Sequence, residues 1–113
     1  MKKIETFLAI LAAIILLQTL YFKFSAAAES VWIFSTLGVE PWGRIASGIM
    51  ELVAGILLIL PATRLFGALI TIGVMSGAIL SHVFFLGIEV QNDSGLLFTL
   101  ALITFFSAAL VVY

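Results

Sequence analysis

Residues 42–86 read WGRIASGIMELVAGILLILPATRLFGALITIGVMSGAILSHVFFL. Two apolar runs, 42–60 and 65–86, flank the short stretch Pro61-Ala62-Thr63-Arg64. Each run has about the 17–25 residues that a helix needs to cross a hydrocarbon core. Neither alternates apolar and polar residues as a barrel strand does, and an open strand edge is not satisfied in lipid. The stretch therefore predicts two spanning helices joined by a tight antiparallel turn, with Pro61 as the stop. Each run also carries an ionisable residue inside it, Glu51 in the first and His82 in the second.

Two further apolar runs, 4–22 and 95–113, raise the predicted count to four. The expected fold is an all-α integral membrane antiparallel four-helix bundle, a single domain over residues 1–113. Residues 25–40 differ from the rest. They hold Glu29, Ser30, Ser35 and Thr36 among Val31, Trp32, Ile33, Phe34 and Leu37. This mixture predicts a short interfacial helix, with Trp32 and Trp42 as headgroup-level anchors. Pro41 suits the first turn of the helix that follows. Gln91-Asn92-Asp93-Ser94-Gly95 is a turn cluster, with Asp93 or Ser94 placed to cap the last helix. Met1-Lys2-Lys3, the first apolar run and Ser25-Ala26-Ala27-Ala28 share features with a signal peptide. The run is longer than the usual 7–15 residues, however, and Lys23 interrupts it, so the first helix is expected to stay.

Composition agrees with a membrane setting. Of 113 residues, 64% are hydrophobic and 10% charged, against about 25% charged in ordinary soluble domains. A soluble chain this small has too little interior to hide so much apolar surface. A net charge of −1 with five Lys and Arg residues leaves no basic face for nucleic acid. The lack of cysteine removes disulfides, thiol redox chemistry and Cys-ligated zinc or iron–sulfur clusters. One histidine excludes a two-histidine haem or metal site within the chain. A His82–Met50 haem has no attachment motif behind it, and neither a phosphate loop nor a nucleophile elbow is present. With four spans, Lys2, Lys3 and Arg64 share one side and Lys23 and Arg44 the other. This predicts both termini in the cytoplasm.

An ionisable group inside a spanning helix is expensive, and by default marks a function with a partner to name. At about 1.5 Å of rise per residue, Gln18 lies about 6 Å below the outer end of the first helix. Glu51 lies about 10–14 Å in along the second, and His82 about 6 Å below the end of the third. The three are expected to converge in the outer half, beneath the long side chains of Lys23 and Arg44. Gly48, Glu51 and Gly55 share one helical stripe, which predicts close packing with the glutamate facing protein. Thr71, Met75, Ala78 and His82 form a second stripe, while Gly73, Gly77 and Ser81 point elsewhere, toward another helix or another copy of the chain.

Tyr21-Phe22-Lys23-Phe24, Gly48-Ile49-Met50-Glu51-Leu52 and Ser81-His82, with the loop Leu37-Gly38-Val39-Glu40-Pro41-Trp42-Gly43-Arg44, resemble the DoxX-like membrane proteins. These are small four-helix bundles with a lysine after helix one, a glutamate in helix two and a histidine late in helix three. The resemblance extends over nearly the whole chain. It implies the bacterial inner membrane, and it implies that Lys23, Glu51 and His82 are the functional residues. Some relatives are linked to quinone-coupled sulfur oxidation or to membrane oxidoreductase complexes.

Three readings follow. In the first, the chain is a non-catalytic membrane subunit. Glu51 and His82 bind the polar head of a quinone-like molecule for a partner oxidoreductase, with Lys23, Gln18 and Arg44 around them. In the second, the carboxylate serves a small transporter or proton relay, which calls for a homo-oligomer. In the third, Glu51 and Lys23 neutralise each other and fix helix register.

Overall fold

The computed structural model describes residues 2–25, 27–88 and 95–113. Helix α1 spans Lys2–Phe24, α2 Ala28–Thr36, α3 Trp42–Ile59, α4 Arg64–Ser81 and α5 Leu96–Val112. A 3-10 turn, Pro61–Thr63, joins α3 to α4, and α4 runs on into one π-helical turn, His82–Leu86. There is no strand among the described residues. The α1 helix, the α3 helix and α4 with its flanking turns are long and apolar enough to cross a membrane, whereas α5 is a shorter apolar helix.

Local chemistry sets the boundaries. Leu60 leaves the helix for an extended conformation (φ −86°, ψ 120°) because it precedes a proline. Pro61 then opens the tight turn foreseen for it. Pro41, expected inside the first turn of α3, stands one residue earlier, at the N-cap position. Its carbonyl still accepts the Ile45 N–H at 3.1 Å, and the missing proline N–H costs nothing at either place. Regular α-helix ends at Ser81 rather than continuing to residue 86, because the backbone widens into the π turn from His82 onward. Gly87 closes that turn at φ 83°, ψ 165°, a conformation open in practice only to glycine. Gly95, at φ 80°, is the N-cap of α5. The Asp93 or Ser94 cap foreseen there lies outside the described residues.

The helix α1 packs against α3 and α5, and α4 packs against the same two, while α2 touches α1, α3 and the π turn. The molecule is 39 Å along its longest axis, close to the roughly 40–45 Å of a bilayer with its headgroups. Small side chains fill its centre: Ala9, Ala12 and Ala13 from α1, Ala54 from α3, Ala68 from α4, and Ala101 and Ala108 from α5. Leu16 and Leu58 are the large apolar side chains fully enclosed with them, and Phe7, Phe66, Phe84 and Phe85 face outward. In lipid there is no hydrophobic drive to reverse this order, and close backbone approach supplies the attraction between helices.

The closest such approach is at Gly67 on α4. A Cβ there would stand 2.7 Å from the Leu58 nitrogen and 2.9 Å from the Ala54 oxygen, both backbone atoms of α3. Gly48 and Gly55 open α3 toward α1, where Phe24 and Leu17 occupy the space a methyl group would need. The stripe that contains Glu51 therefore faces α1, where its spacing foretells only a face packed against protein. Gly73 and Gly77 meet nothing within 4 Å and lie on the exposed face of α4.

Candidate functional site

Glu51 is 3% exposed, on the face of α3 that Gly48 and Gly55 bring against α1. One carboxylate oxygen accepts from Lys23 Nζ, forming an ion pair, and the other accepts from Thr19 Oγ1 at 2.6 Å. Thr19 and Lys23 are four residues apart on α1, so both side chains reach the same point from one helix face. Phe34 of α2 covers the pair from the third side, with its ring centroid 5.6 Å from the Lys23 ammonium. That separation is within reach of a cation–π contact. The charge of Glu51 is thus matched, and each oxygen has a donor.

Arg44 completes this end of the molecule. Its Nε donates to both oxygens of Glu40 at 2.9 and 3.1 Å, and Nη1 donates to the main-chain carbonyl of Lys23. Lys23 sits in the last turn of α1, where carbonyls lack helical partners. Arg44 therefore caps α1 while neutralising Glu40, and it does not touch the Glu51 carboxylate. Gln18, about 100° around α1 from Thr19, is exposed and forms no hydrogen bond among the described residues.

His82 stands apart. It is 6% exposed, at the point where α4 turns into the π helix, and its ring lies 5.7 Å from that of Phe98 on α5. Nδ1 is 2.8 Å from the Ala78 carbonyl oxygen. A carbonyl only accepts, so Nδ1 carries the proton, and in the neutral ring Nε2 is a lone-pair acceptor. Nε2 is buried and has no partner, and no other buried side-chain nitrogen or oxygen among the described residues is in that state. The buried hydroxyls of Thr71 and Thr104 show the contrast, since each donates to the carbonyl four residues back. Polar contacts thus gather Lys23, Glu51 and Arg44 with Thr19 and Glu40, and leave Gln18 and His82 outside.

Thr19 is the participant that the sequence reading passed over. Its position one turn before Lys23 was the available signal, but the larger amide of Gln18 next to it drew the assignment. Phe98 is the neighbour of the histidine ring. Among the described residues, no three His, Asp or Glu side chains come together to hold a metal ion.

Lysine at the end of α1, glutamate facing it from α3 and histidine at the end of α4 stand where the resemblance put them. The sequence model of the DoxX-like family matches residues 7–110. The chain belongs to the DoxX-like family. It is a membrane protein, and the match takes in each of the polar residues just described. No curated protein and no solved structure matches this DoxX-like chain.

A quinone-like head held at His82 would meet an acceptor at Nε2 while the ring is neutral. A quinone carbonyl is an acceptor and has nothing to take from the neutral His82 ring. The hydroxyl of a reduced quinol, or of any phenol, donates to Nε2. When bound, such a molecule would supply two-electron, two-proton redox chemistry that no side chain of this DoxX-like protein offers.

Proposed function

We propose that this DoxX-like protein is a non-catalytic membrane subunit that binds a lipid-soluble molecule with a hydroxyl-bearing head, quinol-like in class, for a partner oxidoreductase. The observation that carries this reading is the partnerless buried Nε2 of His82. Leaving a buried acceptor unsatisfied costs about 1–3 kcal/mol. A side chain held at that cost, at a π turn of the kind frequent at functional sites, is suited to a group from outside the chain. Nδ1 is fixed by Ala78, so in the neutral ring Nε2 keeps its acceptor character. The tie of Lys23 and Thr19 to Glu51 holds α1 on α3. This favours a second, structural reading for that pair, and leaves His82 as the residue that meets the ligand.

The same proposal places the chain as one domain with four spans, α5 being the fourth. Its 17 residues reach about 25 Å, at the low end of a spanning length. The chain would lie in a bacterial inner membrane with both termini in the cytoplasm and α2 along the opposite surface. Native mass spectrometry of the gently purified protein, with extraction of bound small molecules, tests the site. The expected result is a defined hydroxyl-bearing ligand in the parent and in Glu51→Gln, lost in His82→Leu. Bulk phospholipid alone in the parent, or a ligand that survives His82→Leu, overturns the reading.

A further inference from the structure

The other end of the molecule holds a second polar site, built on Arg64. This arginine is 8% exposed and has no carboxylate partner among the described residues. Its bonds go to neutral groups: Nε to the Leu58 carbonyl at 2.9 Å, Nη1 to Thr6 Oγ1 at 3.2 Å and Nη2 to the Ile59 carbonyl at 3.3 Å. A guanidinium has five N–H donors; these contacts use three. Buried charges are as a rule paired, and here no carboxylate stands within ion-pair distance.

Arg64 lines a cavity of about 380 Å³ together with Glu5, Thr6 and Pro61. That volume is within the roughly 300–1,000 Å³ of small-molecule clefts. No ion pair joins Glu5 to Arg64, so a carboxylate and a guanidinium share one cavity without neutralising each other. Thr6 accepts from Arg64, and its own hydroxyl proton goes to no acceptor among the described residues. The cavity opens where α1 begins and α3 turns into α4, at one end of helices suited to cross a membrane. It therefore lies at the level of lipid headgroups.

We propose that this cavity binds the headgroup of a phospholipid that carries both a phosphate and a primary ammonium, phosphatidylethanolamine in class. The phosphate takes the free N–H groups of Arg64 and the Thr6 hydroxyl, a charge-assisted arrangement suited to the planar guanidinium. The ammonium donates to Glu5. A zwitterion leaves the cavity neutral, whereas an anionic headgroup without an amine leaves it with a net negative charge and gives Glu5 only neutral hydroxyl donors. A trimethylated amine offers Glu5 no N–H to accept.

The test is native mass spectrometry of the full chain in detergent, with phosphatidylethanolamine, phosphatidylglycerol and phosphatidylcholine of the same acyl chains added in turn. The expected result is a preference for phosphatidylethanolamine of about threefold, the scale of one partly exposed ion pair. The deciding variant is Glu5→Gln, because Glu5 makes no bond that holds the fold, whereas Arg64 supports the end of α3. Glu5→Gln keeps the melting temperature of the parent and shifts the preference to phosphatidylglycerol, since the cavity is then cationic. Equal binding of the three lipids by the parent, or an ethanolamine preference unchanged in Glu5→Gln, overturns the proposal. So does displacement of the lipid by soluble glycerophosphoethanolamine, which would make a free phosphate compound the ligand instead.

Discussion

Replacing Lys23 with methionine removes one half of the pair that joins α1 to α3 and leaves most of the side-chain volume in place. Glu51, 3% exposed, is then left with the Thr19 hydroxyl alone. Stranding a buried charge by removing its partner costs about 3–5 kcal/mol in proteins. Lys23 keeps 15% of its side chain exposed, so the lower end of that range applies, about 3 kcal/mol or a factor of roughly 150 in the folding equilibrium. Glu51→Leu alone strands the lysine instead, at a smaller cost because the ammonium can reach toward the surface. The double variant Lys23→Met/Glu51→Leu removes both charges and restores most of the loss, since an apolar replacement of a buried pair is often neutral. Reversible unfolding in mixed micelles, followed by helical circular dichroism, measures all four corners of the cycle. If Lys23→Met is as stable as the parent, or if the single losses simply add in the double variant, the pair does not carry the contact between these helices.

Three shorter expectations concern the other contacts. Thr19→Val deletes a hydroxyl donor to a charged oxygen and should cost about 1.5–3 kcal/mol in the same unfolding assay; an unchanged midpoint would show that the carboxylate does not need it. Gly67→Ala drives a methyl group against the α3 backbone and should lose about 1–3 kcal/mol, whereas full stability would mean that the two helices stand further apart. Gly73→Ala and Gly77→Ala meet open space and should gain about 0.5–1 kcal/mol each from helix propensity. If instead they shift the protein from a larger to a smaller species on size-exclusion chromatography, a second copy packs on that face.

What the sequence disclosed, it disclosed through length and period. Runs of sufficient apolar length mark α1, α3 and α4, and the proline at 61 marks the turn between the last two. The spacing of Gly48, Glu51 and Gly55 identifies which side of α3 meets protein, because small residues at helical spacing admit a neighbouring backbone; that the neighbour is α1 comes from the fold. Contact within the membrane is less accessible to such reading. Depth estimates place Gln18, Glu51 and His82 at similar levels, but depth says nothing of azimuth. Gln18 and Thr19 differ by one residue and by about 100° around the helix, and that angle decides which of them meets Glu51. His82 is separated from the carboxylate by its own geometry, since a ring that bonds the carbonyl four residues back lies along its own helix. Arg64 entered only as a positive charge for orientation. Its burial, and the absence of an acid beside it, depend on how α1 meets the α3–α4 turn, which no local pattern encodes.

The two buried arginines play matching roles at opposite ends. Arg44, early in α3, satisfies a carbonyl at the end of α1, and Arg64, at the start of α4, satisfies carbonyls at the end of α3. Each finishes a helix that precedes its own in the chain. This bears on how the helices enter the bilayer during synthesis. When α1 first leaves the ribosome, its last turn has no cap and its lysine no counter-charge. When α3 follows alone, it carries a carboxylate whose burial is opposed by about 2.5–3.5 kcal/mol on the scale of acidic residues at a helix centre. Together the two segments are neutral at that point and capped at that end. The charge balance and the cap therefore favour insertion of α1 and α3 as a pair over insertion of either alone.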